Sequence, residues 1–175
     1  MRFLVLLFSI IFLQSMVLFN FKSDSDISNW KILDDVVMGG RSNGNFKLNK
    51  DGHGEFYGTI SLENNGGFSS LRYYFPNTKT EDYSQFKIKL KGDGKTYQFR
   101  VKREQSDRYS YIHEFNTTTD WQTVTIPFSK MYASFRGNRL DIPNYDGVQM
   151  EEIAFLIGNK KEEQFKLLID SIILE

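Results

Sequence analysis

Residues 85–101 read QFKIKLKGDGKTYQFRV, and their alternation decides the fold class. Phe86, Ile88 and Leu90 occupy every second position, as do Tyr97, Phe99 and Val101. A period of two puts each set on one face of an extended strand. Between the runs stands Gly92-Asp93-Gly94. Glycine takes positive φ at no Cβ cost, so this triplet predicts a tight hairpin that lays the two strands side by side.

Outward from this stretch, alternation broken by Gly, Asn and Asp recurs and predicts further strands at 30–33, 55–62, 68–75, 109–115, 122–128, 153–157 and 165–174. Helical periodicity is scarce. Many short strands without interleaved helices predict an all-β chain folded as an antiparallel β-sandwich or barrel. The stretch 130–145, with Arg136-Gly137 and Pro143, lacks periodicity and predicts a long loop with one helical turn near Met131.

The chain has 175 residues, the size of one domain. At its start Arg2 precedes the apolar run FLVLLFSIIFL over 3–13, a basic segment followed by a hydrophobic stretch of signal-peptide length. Ser15 is placed for the −1 position of a cleavage site, with Leu13 at −3. Counted on through Phe19, the run reaches about the minimum length for crossing a bilayer. Residues 1–16 are therefore expected to form a signal peptide or N-terminal anchor ahead of one domain over 17–175. The protein is accordingly expected to be exported, periplasmic or secreted, or membrane-anchored.

Composition removes several function classes. Lys plus Arg number 22 and Asp plus Glu number 22, so no net field exists to hold a nucleic acid through counterion release. The absence of cysteine excludes disulfides, thiolate nucleophiles and sulfur-ligated metals. The two histidines, His53 in a Gly-flanked turn and His113 in a predicted strand, have no helical i, i+4 partner, and the sequence gives His113 neither a nucleophile nor an orienting carboxylate. Asp34, Asp35, Asn43 and Asp51 offer hard oxygens, but their spacing matches no calcium loop and they read as solvated or turn-forming groups. Gly94-Lys95-Thr96 resembles the end of a phosphate loop, yet Lys89 stands where that loop needs glycine and a strand follows. Gly67-Phe68-Ser69-Ser70 lacks the closing glycine of a nucleophile elbow. No Gly-rich strand-to-helix fingerprint for a nicotinamide cofactor occurs. Neither an enzyme nor a cofactor or metal is expected.

Two turn-rich stretches carry the remaining signal. Asp34-Asp35-Val36-Val37-Met38-Gly39-Gly40-Arg41-Ser42 breaks the alternation with an apolar trio closing on two glycines, as suits a loop tucked under a sheet. Its glycines allow a sharp turn or close approach to another chain, and Asp34 or Asp35 is suited to accept bonds from freed backbone N–H groups. The second stretch, Glu63-Asn64-Asn65-Gly66-Gly67-Phe68-Ser69-Ser70, sets four turn formers before a strand. The candidate partner-binding residues are Asp34, Asp35, Met38, Gly39, Gly40, Arg41 and Ser42 of the first stretch, and Asn64, Asn65, Gly66, Gly67, Phe68 and Ser69 of the second. A purely loop-shaping duty for both stretches is the competing reading. Arg72 and Arg100 adjoin apolar strand positions, placed either to clamp carbonyls or carboxylates or to stand in solvent.

Taken in order, W-x-x-L-D-D-V-V-M-G-G-R-S at 30–42, F-x-G-x-I-S-L-E-N-N-G-G-F-S-S at 56–70, K-G-D-G-K-x-Y-x-F-R at 91–100, W-x-x-V-x-I-P-F at 121–128 and Arg136-Gly137 resemble the NADH:ubiquinone oxidoreductase intermediate-associated protein 30 family. The resemblance covers nearly everything after the apolar leader. It implies a galactose-binding-like jelly roll and a non-enzymatic role, since mitochondrial members act as chaperone-like assembly factors that bind intermediates of respiratory complex I. A protein partner, an assembly intermediate of a membrane complex, is the expectation that follows. The mitochondrial members carry a transit peptide and an extra region before the domain, whereas here the apolar segment runs straight into the first strand. The alternative is a carbohydrate-binding module of the same fold, with Tyr73, Tyr74, Tyr109, Tyr111 and Trp121 as stacking candidates, although Trp121 is expected to be buried.

Overall fold

A computed structural model describes residues 14–175. Its strands are β1 (Met16–Asn20), β2 (Trp30–Asp34), β3 (Asn43–Leu48), β4 (Gly54–Ile60), β5 (Ser69–Lys79), β6 (Gln85–Lys91), β7 (Thr96–Lys102), β8 (Ser110–Asn116), β9 (Gln122–Pro127), β10 (Tyr132–Phe135), β11 (Asn138–Arg139), β12 (Gln149–Ile157) and β13 (Glu163–Leu174). Every pairing is antiparallel, and the strands form two sheets.

The seven-stranded sheet runs β11-β10-β8-β7-β12-β5-β2, and the six-stranded sheet runs β3-β4-β13-β6-β9. The sixth strand, β1, lies against the C-terminal half of β13, from Ser171 to Leu174, while β4 takes the N-terminal half of the same edge. The two latest strands, β12 and β13, are thus interior strands of their respective sheets.

The alternating rows identified in the sequence form the layer between the sheets. Phe56, Phe86, Ile88, Leu90, Ile126 and Ile172 of one sheet meet Leu71, Tyr97, Phe99, Ile153 and Phe155 of the other, all fully buried. Trp30 stacks on Tyr73 with ring centroids 4.6 Å apart, and this pair closes one end of the core. Shape-matched aromatic packing of this kind supplies most of the favourable energy of a sandwich that has no disulfides.

Two expectations about connections are corrected. Strands β6 and β7 do not form a hairpin: β6 pairs with β13 and β9, and β7 with β12 and β8. Gly92-Asp93-Gly94 is the crossing from one sheet to the other. Stacking the two strands turns their apolar rows toward each other, so that Phe86 meets Phe99 at 4.9 Å, whereas a hairpin would leave both rows on one face still needing a cover. Asp93 fixes the crossing by accepting bonds from the Tyr97 hydroxyl at 3.2 Å and the Lys166 amide at 2.9 Å.

The stretch 130–145 is not one long loop. A 3-10 turn at Phe128–Lys130 precedes Met131, and β10 and β11 then form a short hairpin pairing Ser134 with Arg139 and Phe135 with Asn138. Its two-residue turn puts both Arg136 (φ 49°) and Gly137 (φ 80°) in the left-handed region, as the right-handed twist of a hairpin favours. Strand β3, outside the sequence reading, is disguised by Asn43-Gly44-Asn45.

In β12 a bulge lies between Met150 and Glu152. The extra residue turns both Met150 and Ile153 into the core and leaves Glu152, Ala154 and Leu156 on the outer face of the seven-stranded sheet.

Candidate functional site: two loops closed on one carboxylate

The two turn-rich stretches, separated in sequence, are joined at the end of β2 and the start of β5, which pair from Trp30–Tyr73 to Asp34–Ser69. Their junction is Asp35, 1% exposed. Its Oδ1 accepts the Ser42 amide at 2.9 Å. Its Oδ2 accepts the Ser42 hydroxyl at 2.5 Å, the Gly67 amide at 2.5 Å and the Phe68 amide at 3.2 Å. The carboxylate thus satisfies the Ser42 amide of its own loop and the Gly67 and Phe68 amides of the other. Burial pushes the Asp35 carboxyl up, but the bonds from the Ser42 hydroxyl and the amides of Gly67, Ser42 and Phe68 together outweigh it and hold the group below its ordinary value.

One glycine of each pair follows from this geometry. A Cβ on Gly40 would lie 2.4 Å from Cγ of Asp35, and one on Gly66 would lie 2.6 Å from its Oδ2. Only a residue without a side chain brings the backbone this close to the carboxylate.

Asp34 repeats the arrangement beside it, accepting the Gly44 amide at 2.8 Å and the Ser69 hydroxyl at 2.6 Å. Ser42 also accepts the Ser61 amide at 3.1 Å, which ties in the end of β4. Asn64 Nδ2 donates to the Gly39 carbonyl at 3.0 Å, and Arg41 pairs with Glu63 at 3.2 Å, so the loops touch at their tips as well.

The candidate residues therefore divide. Asp34, Asp35, Gly40, Ser42, Gly66, Gly67, Phe68 and Ser69 build the junction, with Phe68 acting through its amide. Met38, Gly39, Arg41, Asn64 and Asn65 form its outer surface. Met38 is 68% exposed and Val36 58%, and Leu62 on the adjoining loop is 41% exposed. Val36, Leu62 and Glu63 belong to this surface although the sequence reading did not select them. An apolar residue inside a turn-rich stretch, with no strand to face, was the available signal.

Chemistry elsewhere is sparse. The oxygens of Asp34 and Asp35 are taken by amides and hydroxyls, and Asp51 lies in the separate β3–β4 turn. Among the described residues, no group of three or more His, Asp or Glu side chains is placed to hold a metal ion. His53 faces Asp170 at 3.2 Å, and the Nδ1 of His113 lies 3.5 Å from the Lys130 carbonyl.

The aromatic side chains proposed for stacking on sugars do not share a surface. Tyr111 is buried, and Tyr73 is packed on Trp30. Trp121, expected to be buried, is 39% exposed, because it stands just before β9 at the rim of the six-stranded sheet, packed on His53 and under Lys89. Tyr74 lies on the seven-stranded sheet, opposite Glu152 in the β5–β12 register.

Comparison with known proteins gives consistent relatives. The mitochondrial complex I intermediate-associated protein 30 of Mus musculus is 27% identical over 182 residues, covering 91% of this chain and 56% of its own length. That of Drosophila melanogaster is 26% identical over 184 residues, covering 91% of this chain and 62% of its own. The chain thus spans little more than half the length of these curated relatives. Both names carry the word mitochondrial, and this corrects the expectation of an exported or membrane-anchored protein. The apolar run over 3–13 on which that expectation rested lies outside the described residues, among which no helix is long and apolar enough to cross a membrane.

Among solved structures, the family 11 carbohydrate-binding module of the cellulase Lic26A-Cel5E of Clostridium thermocellum superposes with a TM-score of 0.67 at 17% identity, covering 92% of this chain and 94% of the module. A family 29 carbohydrate-binding module gives a TM-score of 0.53 at 10% identity, covering 93% and 91%. At such identities the likeness is one of fold, the galactose-binding-like sandwich. The family model described as complex I intermediate-associated protein 30 matches residues 19–169, almost the whole sandwich and both loops of the Asp35 junction, and the chain belongs to that family.

Proposed function

We propose that this chain is a non-enzymatic protein-binding module that assists the assembly or stability of a respiratory membrane complex. It engages its client through the loop pair closed on Asp35. The observation that carries this reading is the exposure of Val36, Met38 and Leu62 on loops whose backbone is fixed by a buried carboxylate. Loops whose backbone is already tied down lose less conformational entropy when a partner covers their apolar side chains, which favours recognition over non-specific adhesion. Family membership supports the choice of client.

The test is capture from mitochondria of the native cell with tagged chain as bait and mass-spectrometric identification. Respiratory-complex subunits are expected with the parent and are expected to be lost with Met38→Asp/Leu62→Asp, which alters only exposed positions. An identical protein set from parent and double variant, or no respiratory subunits with the parent, refutes the proposal. Calorimetry with polysaccharides supplies the competing outcome: saturable sugar binding without client capture would make the chain a carbohydrate-binding module instead.

A further inference from the structure

The outer face of the seven-stranded sheet is charged in a way the loop pair does not explain. Strand alternation places Lys31, Arg72, Arg100, Lys102 and Arg139 on this face, against the carboxylates of Glu114 and Glu152. Five cations facing two anions is a local excess in a chain whose charges cancel overall, 22 against 22.

The centre of the face is built rather than solvated. Arg72 and Arg100 stand on either side of Ala154, paired with it from β5 and β7. Ala154 is too short to separate them. Glu152, 3% exposed, supplies a carboxylate at this centre, with Arg72 Nη1 at 3.5 Å from Oε1 and Lys102 Nζ at 3.9 Å from Oε2. Arg100 directs Nε and Nη2 to the Gln98 side-chain oxygen at 3.0 and 2.6 Å, a neutral acceptor. The Nε of Arg72 is buried and has no acceptor among the described residues. Burial first, and then the neighbouring Arg72 charge, pull the Arg100 guanidinium down to about 10, as expected where cations outnumber anions away from water.

Buried guanidinium donors are ordinarily paired, and an unmet one beside a second arginine is suited to a bidentate oxyanion. Extent narrows the choice. Lys31, Arg72 and Arg100 lie on one ladder row across β2, β5, β12 and β7, a span of three strand spacings or about 14 Å. A row of that length exceeds a single phosphate and suits several carboxylates in sequence.

We propose that the outer face of the seven-stranded sheet, centred on Arg72 and Arg100 around Glu152, binds an acidic polypeptide segment of a partner protein, with its carboxylates on the arginine row. The choice of a polypeptide rests on the protein-binding function proposed above; the site itself rests on the charge and pairing of the face. Glu152 acts as an internal competitor that keeps Arg72 from pairing elsewhere until the segment arrives.

The test is fluorescence anisotropy of a labelled Glu-rich peptide titrated with the full chain at low ionic strength, with polygalacturonate, anionic phospholipid vesicles and pyrophosphate as competing probes. Saturable peptide binding is expected, weakened about tenfold or more in Arg72→Gln and in Arg100→Gln, as for loss of one charge-assisted pair. Glu152→Gln is expected to bind more tightly, because it removes the competing carboxylate while keeping its shape. Circular dichroism and the thermal midpoint identify any variant that fails to fold, and the Glu152→Gln gain is a readout that damage to the fold does not produce. Absence of peptide binding overturns the proposal, as do affinity unchanged in Arg72→Gln and Arg100→Gln, weaker binding in folded Glu152→Gln, and preference for polygalacturonate, vesicles or pyrophosphate over the peptide. The two proposals fail separately. Client capture that depends on Met38 and Leu62 without peptide binding sinks only the sheet-face site; peptide binding without respiratory-subunit capture sinks only the assembly role.

Discussion

Replacing Asp35 with Asn tests whether the family's glycine-rich stretches exist to surround a charge. The substitution keeps the side chain's shape and replaces one accepting oxygen with a donor. Whichever way the amide is turned, an NH2 group faces either the Ser42 amide, bound by Oδ1, or the Ser42 hydroxyl and the Gly67 and Phe68 amides, bound by Oδ2. One orphaned buried donor costs about 1–3 kcal/mol, and loss of charge assistance at the three remaining bonds about 1 kcal/mol each, so the total is roughly 4–6 kcal/mol. For a domain of this size that lowers the thermal midpoint by about 8–24 °C. Urea unfolding followed by circular dichroism measures the difference, and amide hydrogen exchange at Ser42, Gly67 and Phe68 locates it. The pH dependence has a definite sign. Because the folded carboxyl lies below its ordinary value, its contribution is complete above the unfolded value of about 3.9 and is lost as pH falls through the folded one. The gap between parent and variant should therefore be largest near neutrality and shrink in acid. A variant within about 0.5 kcal/mol of the parent, with unchanged exchange at those amides, would refute the assignment of Asp35 as the junction.

Other outcomes follow from the same geometry. Gly40→Ala, whose Cβ would meet the Asp35 carboxylate, should destabilise by about 1–3 kcal/mol, and should do so far less when combined with Asp35→Ala; equal costs in both backgrounds would show that the close approach is not the cause. Phe99→Ala removes a ring packed on Phe86 and Phe155 and should cost about 3–5 kcal/mol in urea unfolding. Trp121→Phe, at the rim, should change stability by less than about 1 kcal/mol while removing most of the tryptophan fluorescence accessible to iodide; a large loss of stability would contradict its exposed position.

Strands were legible in the sequence because burial of one face imposes a period of two, which survives whichever strands are neighbours. Sheet membership was not legible for the same reason. The rows Phe86-Ile88-Leu90 and Tyr97-Phe99-Val101 are apolar both in a hairpin and in two stacked sheets, so alternation cannot separate the alternatives, and Gly92-Asp93-Gly94 suits either connection. The hairpin of β10 and β11 was hidden by its brevity, since four residues and two residues give too little alternation to see. At the site, the two stretches stood out for their glycines and acids, but their convergence on Asp35 links positions 32 and 33 residues apart. The Arg72, Arg100 and Glu152 group spans three strands and comes together only once their register is known.

The interior positions of β12 and β13 constrain how this chain acquires its structure. Each sheet is assembled around a strand that is made late: β4, β6 and β1 wait for β13, while β5 and β7 wait for β12. A ribosome or an import pore that delivers the chain from its N-terminus first holds a set of apolar edges with no centre to join, and loop closure over such distances is slow. Completion of either sheet therefore waits for β12 or β13, however many earlier strands have formed. Until then the emerging chain exposes unpaired apolar strand edges, the kind of surface that chaperones cover.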